Sequence, residues 1–141
     1  MNETISKMIE EYSQEKDFFG EVSEEEIQSA EKALGLKFPQ KYRGYVINYG
    51  SGGICGVEIL GVQGKLGASV VKATERWRRL GLSDGLIVIE DSGEFIRCMY
   101  SADIGDEKVY TWDRGGKKLS VRYETFDDYV IDMFQEGIDN L

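Results

Sequence analysis

The hydrophobic pattern of this chain changes period at Gly50-Ser51-Gly52-Gly53, and that change does most to restrict its fold. Before it, apolar residues recur at helical spacing: Ile5, Met8, Ile9 and Tyr12, then Ile27, Ala30 and Leu34, then Tyr42, Tyr45, Val46 and Tyr49. After it come short runs rich in β-branched and aromatic residues, at 54–60, 86–89, 95–100, 108–112 and 119–122. Residues 68–80 return to a helical period, and Phe126, Tyr129, Val130, Met133 and Phe134 mark a closing helix. Helices, then strands joined by tight turns, then a helix predict an α+β fold with a mostly antiparallel sheet flanked by helices. At 141 residues, positions 1–141 are expected to form one domain.

Local signals sharpen the boundaries. Ser23-Glu24-Glu25-Glu26 is a capping box, in which Ser23 accepts the N–H of Glu26 and Glu26 reaches back. Gly35 is placed to end that helix in the left-handed region, and Pro39 to stand at the start of the next. The uninterrupted run Leu86-Ile87-Val88-Ile89 predicts a strand buried on both faces. Asp113-Arg114-Gly115-Gly116 predicts a hairpin turn.

Composition then removes whole classes of function. The chain contains no histidine, which excludes Ser–His and Cys–His nucleophile pairs and HExxH zinc chemistry. Its 26 acids against 17 bases give a net charge of −9, the wrong sign for a free-standing nucleic-acid binder and the right one for a basic protein partner. Residues 1–31 hold ten acids and two bases, and residues 124–141 hold six acids and no base. Lys72, Arg76, Arg78 and Arg79 form one local basic cluster. Cys55 and Cys98 form no CxxC and sit in apolar runs, so both are expected to be free structural thiols in strands, in a reducing compartment. No signal-like N-terminal pattern and no span of about 18 uncharged residues is present, so a cytoplasmic protein without membrane contact is expected.

The remaining motifs do not amount to a catalytic set. Gly64-Lys65 is followed by Leu66 and Gly116-Lys117 by Lys118, so neither carries the Ser or Thr of a P-loop. Gly50-Ser51-Gly52 lacks the third glycine of a dinucleotide fingerprint, since position 55 is Cys55. Glu90 and Asp91, with Glu58 and Glu94, could gather at a strand end, but adjacent carboxylates on a strand face opposite ways. Turn acids in water are the simpler reading, and neither cofactor nor metal is expected. The tyrosines at 42, 45 and 49 have the spacing of a stacking platform and, more simply, of a core.

An ordered set of residues goes further. Ser23, Ile27, Ala30-Glu31, Leu34-Gly35, Pro39 and Tyr42, followed by Tyr49-Gly50-x-Gly52-Gly53, resemble the N-terminal signature of the SUKH superfamily. The run from Gly85 to Asp91, then Val109-Tyr110-x-Trp112-Asp113 and a helix opening near Phe126, continues the resemblance, most closely to its YobK-like (Smi/Knr-type) branch. The resemblance implies an α+β sheet flanked by helices, no catalytic residues, and most often an immunity protein that neutralises a polymorphic toxin by stoichiometric binding. The implied partner is a cognate toxin domain, basic and nuclease-like, carried on an LXG-type protein. The alternative it implies is a regulatory or scaffold protein linked to the cell wall. For the toxin-contacting face, the acids around the sheet connections are the candidates: Glu90, Asp91, Glu94, Asp103, Asp106 and Asp113. Oligomeric state is left open.

Overall fold

Helix boundaries in the computed structural model, which describes residues 2–141, follow from local chemistry. Helix α1 (Glu3–Tyr12) begins at Asn2, whose side chain accepts the N–H groups of Thr4 and Ile5 at 2.8 and 3.2 Å. Helix α2 (Glu24–Leu34) opens with the expected capping box, Glu26 N–H donating to Ser23 at 3.1 Å and Ser23 N–H to Glu26 at 2.9 Å. It ends at Gly35 with φ +71°. Helix α3 (Gln40–Tyr49) follows Pro39 directly, and α4 (Ser69–Arg79) and α5 (Phe126–Asp139) complete the helical set.

Four strands, β1 (Leu86–Asp91), β2 (Phe95–Tyr100), β3 (Val109–Asp113) and β4 (Lys118–Tyr123), form one antiparallel sheet in the order β1-β2-β3-β4. Alternation along the strands feeds two cores. On one face Ile87, Ile89, Met99 and Val109 meet the apolar sides of α1, α2, α3 and α5. On the other, Leu86, Val88, Ile96, Cys98 and Trp112 meet Trp77 of α4, with the two indoles edge-to-face at 5.7 Å. Strand β1 is therefore buried on both faces, as its unbroken apolar run requires.

Residues 54–60 correct the sequence reading: they form a turn at Cys55-Gly56 followed by irregular chain rather than a strand. Cys55 (φ +52°) and Gly56 (φ +80°) both adopt left-handed backbone that no pleated strand accommodates. Cys55 thus lies in a turn, and only Cys98 lies in a strand. The loop is nonetheless held firmly. The Tyr42 hydroxyl donates to the Leu60 carbonyl at 2.6 Å and the Tyr45 hydroxyl to the Gly52 carbonyl at 2.7 Å. Leu60 N–H donates to the Ile89 carbonyl at 2.9 Å, tying the loop to the outer side of β1. Chain segments pass so closely here that a Cβ on Gly61 would stand 1.9 Å from the Gly50 carbonyl oxygen, and one on Gly52 2.1 Å from that of Asp17. The tyrosine stripe and the glycines are both devices of the core.

Candidate functional site

A β-bulge decides where the two central candidate acids point. The β1–β2 register slips between Val88 and Glu90, leaving Ile89 as the extra residue. Ile89 and Glu90 consequently share the face covered by α5, while Asp91 turns to the face covered by α4. Glu90 accepts the Tyr129 hydroxyl of α5 at 2.9 Å. Asp91 accepts the Trp77 indole N–H at 2.8 Å and the Gly93 N–H at 2.9 Å, and lies 3.8 Å from Arg76. Both acids tie helices to β1. Burial, with Glu90 alongside, holds the Tyr129 hydroxyl protonated well above the usual tyrosine range, so it stays a donor.

The other four candidates separate. Glu94 lies exposed in the β1–β2 turn, and Asp113 lies exposed beside it, paired in register with Phe95 and capping the Gly115 N–H at 2.8 Å. Asp103 and Asp106 sit at the opposite end of the sheet, beyond the length of β2, which at about 3.3 Å per residue is ~20 Å. Asp103 is exposed in a 3₁₀ turn (Ala102–Ile104). Asp106 accepts the Lys108 N–H at 2.8 Å and the Tyr110 hydroxyl, whose pKa rises to about 12 chiefly through that bond. Glu90, Asp91, Glu94 and Asp113 are therefore brought to one end, and Asp103 and Asp106 to the other.

Beside Glu90 and Asp91 lies an open groove of about 340 Å³ that the sequence did not reveal. Its walls are the 55–58 turn, the end of β1 and the last turns of α5, and its carboxylates are Glu58, Glu90, Asp91 and Glu136. No Lys or Arg lines it among the described residues. Gly137 makes the geometry possible: a Cβ there would stand 3.0 Å from the Cβ of Cys55 and force the loop away from the helix. The groove faces the carbonyl end of α5, whose last turn carries no cation to offset its partial negative charge. Partial burial raises the Glu58 pKa from its ordinary value. A groove of this kind can accept the cationic side chains of a partner.

The basic cluster on α4 is divided among different tasks. Arg78 donates to the carbonyls of Leu34 and Asp84 at 3.1 and 2.7 Å, and Arg76 faces Asp91. Among the described residues, Lys72 and Arg79 are the members of this cluster that are exposed and make no ion pair or side-chain hydrogen bond. A larger open groove, of about 870 Å³, runs between α2 and the start of α3 over a second feature absent from the sequence reading. There Arg43 bridges Glu31, at 3.2 Å, and Glu24. The Arg43 hydrogen bond lowers the Glu24 pKa below its ordinary value. Glu31 also accepts the Phe38 N–H at 2.8 Å, so this network joins α2 to α3. The signal for it was the pairing of Glu31 with a cation twelve positions on, which no periodicity singles out.

Among the described residues no group of three or more acids and cysteines is placed to hold a metal ion, and no helix is long and apolar enough to cross a membrane. A family model described as SMI1-KNR4 cell-wall, SUKH_5, matches residues 1–135, a span that contains every strand and all helices up to the final turn of α5.

Proposed function

The chain belongs to the SUKH (SMI1-KNR4) family, and we propose that it is an immunity protein that neutralises a cognate polymorphic toxin by stoichiometric binding. The family is known from immunity proteins; assignment to its YobK-like branch is part of the proposal. The toxin domain is basic and nuclease-like, of the kind carried on LXG-type proteins, and capture occurs in the cytoplasm without catalysis by this chain. The observation that supports this reading is the acidic groove, where Glu58, Glu90 and Glu136 meet a helix carbonyl end and no Lys or Arg lines the wall among the described residues. A nuclease presents a cationic substrate cleft, because phosphate contacts require it. Carboxylates offered to that cleft compete with phosphate, and a net charge of −9 speeds the encounter.

In this reading Glu90 is the sequence candidate within the groove; Asp91 lines its edge with its carboxylate turned to Trp77 and Arg76, Glu94 and Asp113 extend the acidity along the same sheet end, and Asp103 and Asp106 are left outside the docking face. Packing of α1 against α5 supports the reading further, since it joins the two acid-rich ends of the chain on one side. The test is co-expression with the C-terminal domain of the toxin encoded beside it. Restored growth and a one-to-one complex on purification are expected. Continued killing with both proteins soluble refutes immunity for that pair, and recovery of several host proteins in place of one toxin would favour the regulatory alternative.

A further inference from the structure

The two edges of the sheet are treated differently. The β1 edge is closed, with Leu60 bonded to Ile89 and the Thr74 hydroxyl accepting the Val88 N–H at 2.9 Å. The β4 edge is open: among the described residues, no backbone hydrogen bond links 118–123 to anything but β3. Val121 on that edge is 49% exposed, and it lies in register with Tyr110, whose ring meets Tyr100 edge-to-face at 5.3 Å. This apolar shelf shares the α4 face of the sheet, where α4 packs over β1 and reaches β3 through the Trp77–Trp112 contact, leaving Tyr110 half-buried and Val121 exposed beyond it. Charge marks the same edge. Residues 114–123 carry Arg114, Lys117, Lys118 and Arg122 with no acid, in a chain whose net charge is −9; Arg122 stands 3.9 Å from Asp132 of α5 and over the Tyr123 ring but stays half exposed, while Lys118 is exposed.

We propose that β4 receives an extended acidic segment of a protein partner as a fifth antiparallel strand, its carboxylates facing Lys118 and Arg122 and its apolar residues continuing the Val121–Tyr110–Tyr100 shelf. Strand addition draws affinity from main-chain hydrogen bonds and selectivity from alternate side chains. Cations on an open edge repel an identical edge, so the arrangement that discourages pairing of two copies selects an acidic strand. The surface is opposite in sign to the carboxylate groove and lies across the sheet from it, three strand spacings or ~14 Å away. It therefore goes beyond the toxin-capture reading, and its failure would leave that reading untouched.

Three heptapeptides test it against the intact, isotope-labelled protein by NMR titration and hydrogen exchange. One alternates glutamate with valine, one alternates lysine with valine, and one is the acidic peptide with its central valine replaced by proline. The acidic peptide should shift resonances of residues 118–123 and slow exchange of the β4 amides that do not pair with β3. The basic and proline peptides should bind at least tenfold more weakly, as should the acidic peptide to a Lys118→Glu, Arg122→Glu variant. Equal binding of the basic peptide, shifts confined to other elements, absence of binding at millimolar peptide, or self-association through β4 would each overturn the proposal.

Discussion

Replacing Glu31 with alanine should cost the protein about 3 kcal/mol, and the structure says why. Glu31 is 8% exposed and accepts the Phe38 N–H at 2.8 Å and the Arg43 Nε–H at 3.2 Å. Alanine leaves the buried Phe38 donor without a partner, a loss of about 2 kcal/mol. Arg43 loses one carboxylate but keeps Glu24, with Nη1 at 3.1 Å, so its charge is not stranded and the added cost is about 1 kcal/mol. Glutamine retains an acceptor for Phe38 and forfeits only the charge, so Glu31→Gln should cost about 1 kcal/mol. With a urea m-value of about 2 kcal/mol/M, the unfolding midpoint should fall by about 1.5 M for Glu31→Ala and by about 0.5 M for Glu31→Gln. Equal midpoints for the two variants, or an unchanged midpoint for alanine, would refute the assignment of the Phe38 bond as the larger contribution. Toxin capture by the folded variants should be unchanged, because this network lies outside the carboxylate groove between the 55–58 turn and α5.

Other outcomes follow from particular contacts. Gly52→Ala combines φ +98° with a Cβ 2.1 Å from the Asp17 carbonyl oxygen, so a loss of about 3 kcal/mol and a Tm lower by ~10 °C are expected by calorimetry. Gly44→Ala, in the middle of α3 with open space around it, should instead raise Tm slightly. Burial pushes the Cys98 thiol up to about 12, so iodoacetamide at pH 8 should leave Cys98 unmodified until the protein unfolds, and a Cys55→Ser, Cys98→Ala variant should still neutralise toxin. Affinity for a cationic partner should fall as pH is lowered through the Glu58 range, which begins above that of an ordinary glutamate. Binding needs the carboxylate and the free protein increasingly holds the proton. Titration of binding against pH with Glu58→Gln should remove that part of the dependence, and an unchanged profile would exclude Glu58 from the interface.

Much of this architecture is legible in the chain because the signals are local. The Ser23–Glu26 capping box, the Gly35 stop and the β3–β4 hairpin each lie within a few residues of their cause. The run 86–89 declares its two-sided burial by having no polar residue to turn outward. The errors and omissions have non-local causes. Residues 54–60 have strand composition, but the left-handed turn at Cys55-Gly56, the Tyr42 bond to Leu60 and the close approach of Gly50 to Gly61 hold them as a loop. The bulge at Ile89 reverses the facing of Glu90 and Asp91, and the partners responsible, Tyr129 and Trp77, are 39 and 14 residues away. The groove joins Glu58 to Glu136 across 78 positions, with Gly137 allowing the approach. Nothing in either neighbourhood announces the other. The family signature found in the sequence is explained by fold roles: Glu31 bonds Phe38, Tyr42 holds Leu60, and Gly52 passes Asp17.

Capture of a cationic toxin by the carboxylate groove is measured by stopped-flow association with the neighbouring toxin domain at several salt concentrations. Glu58→Lys with Glu136→Lys reverses two exposed rim charges and leaves the Glu90–Tyr129 and Asp91–Trp77 bonds in place. The association rate of the unaltered protein should fall steeply with added salt, and the double reversal should lower it by about tenfold at low salt while dissociation changes less. A matched reversal of Asp103 and Glu107, at the other end of the sheet, should lower it by much less. An association rate independent of salt, or equal losses from both pairs, would contradict capture through this groove.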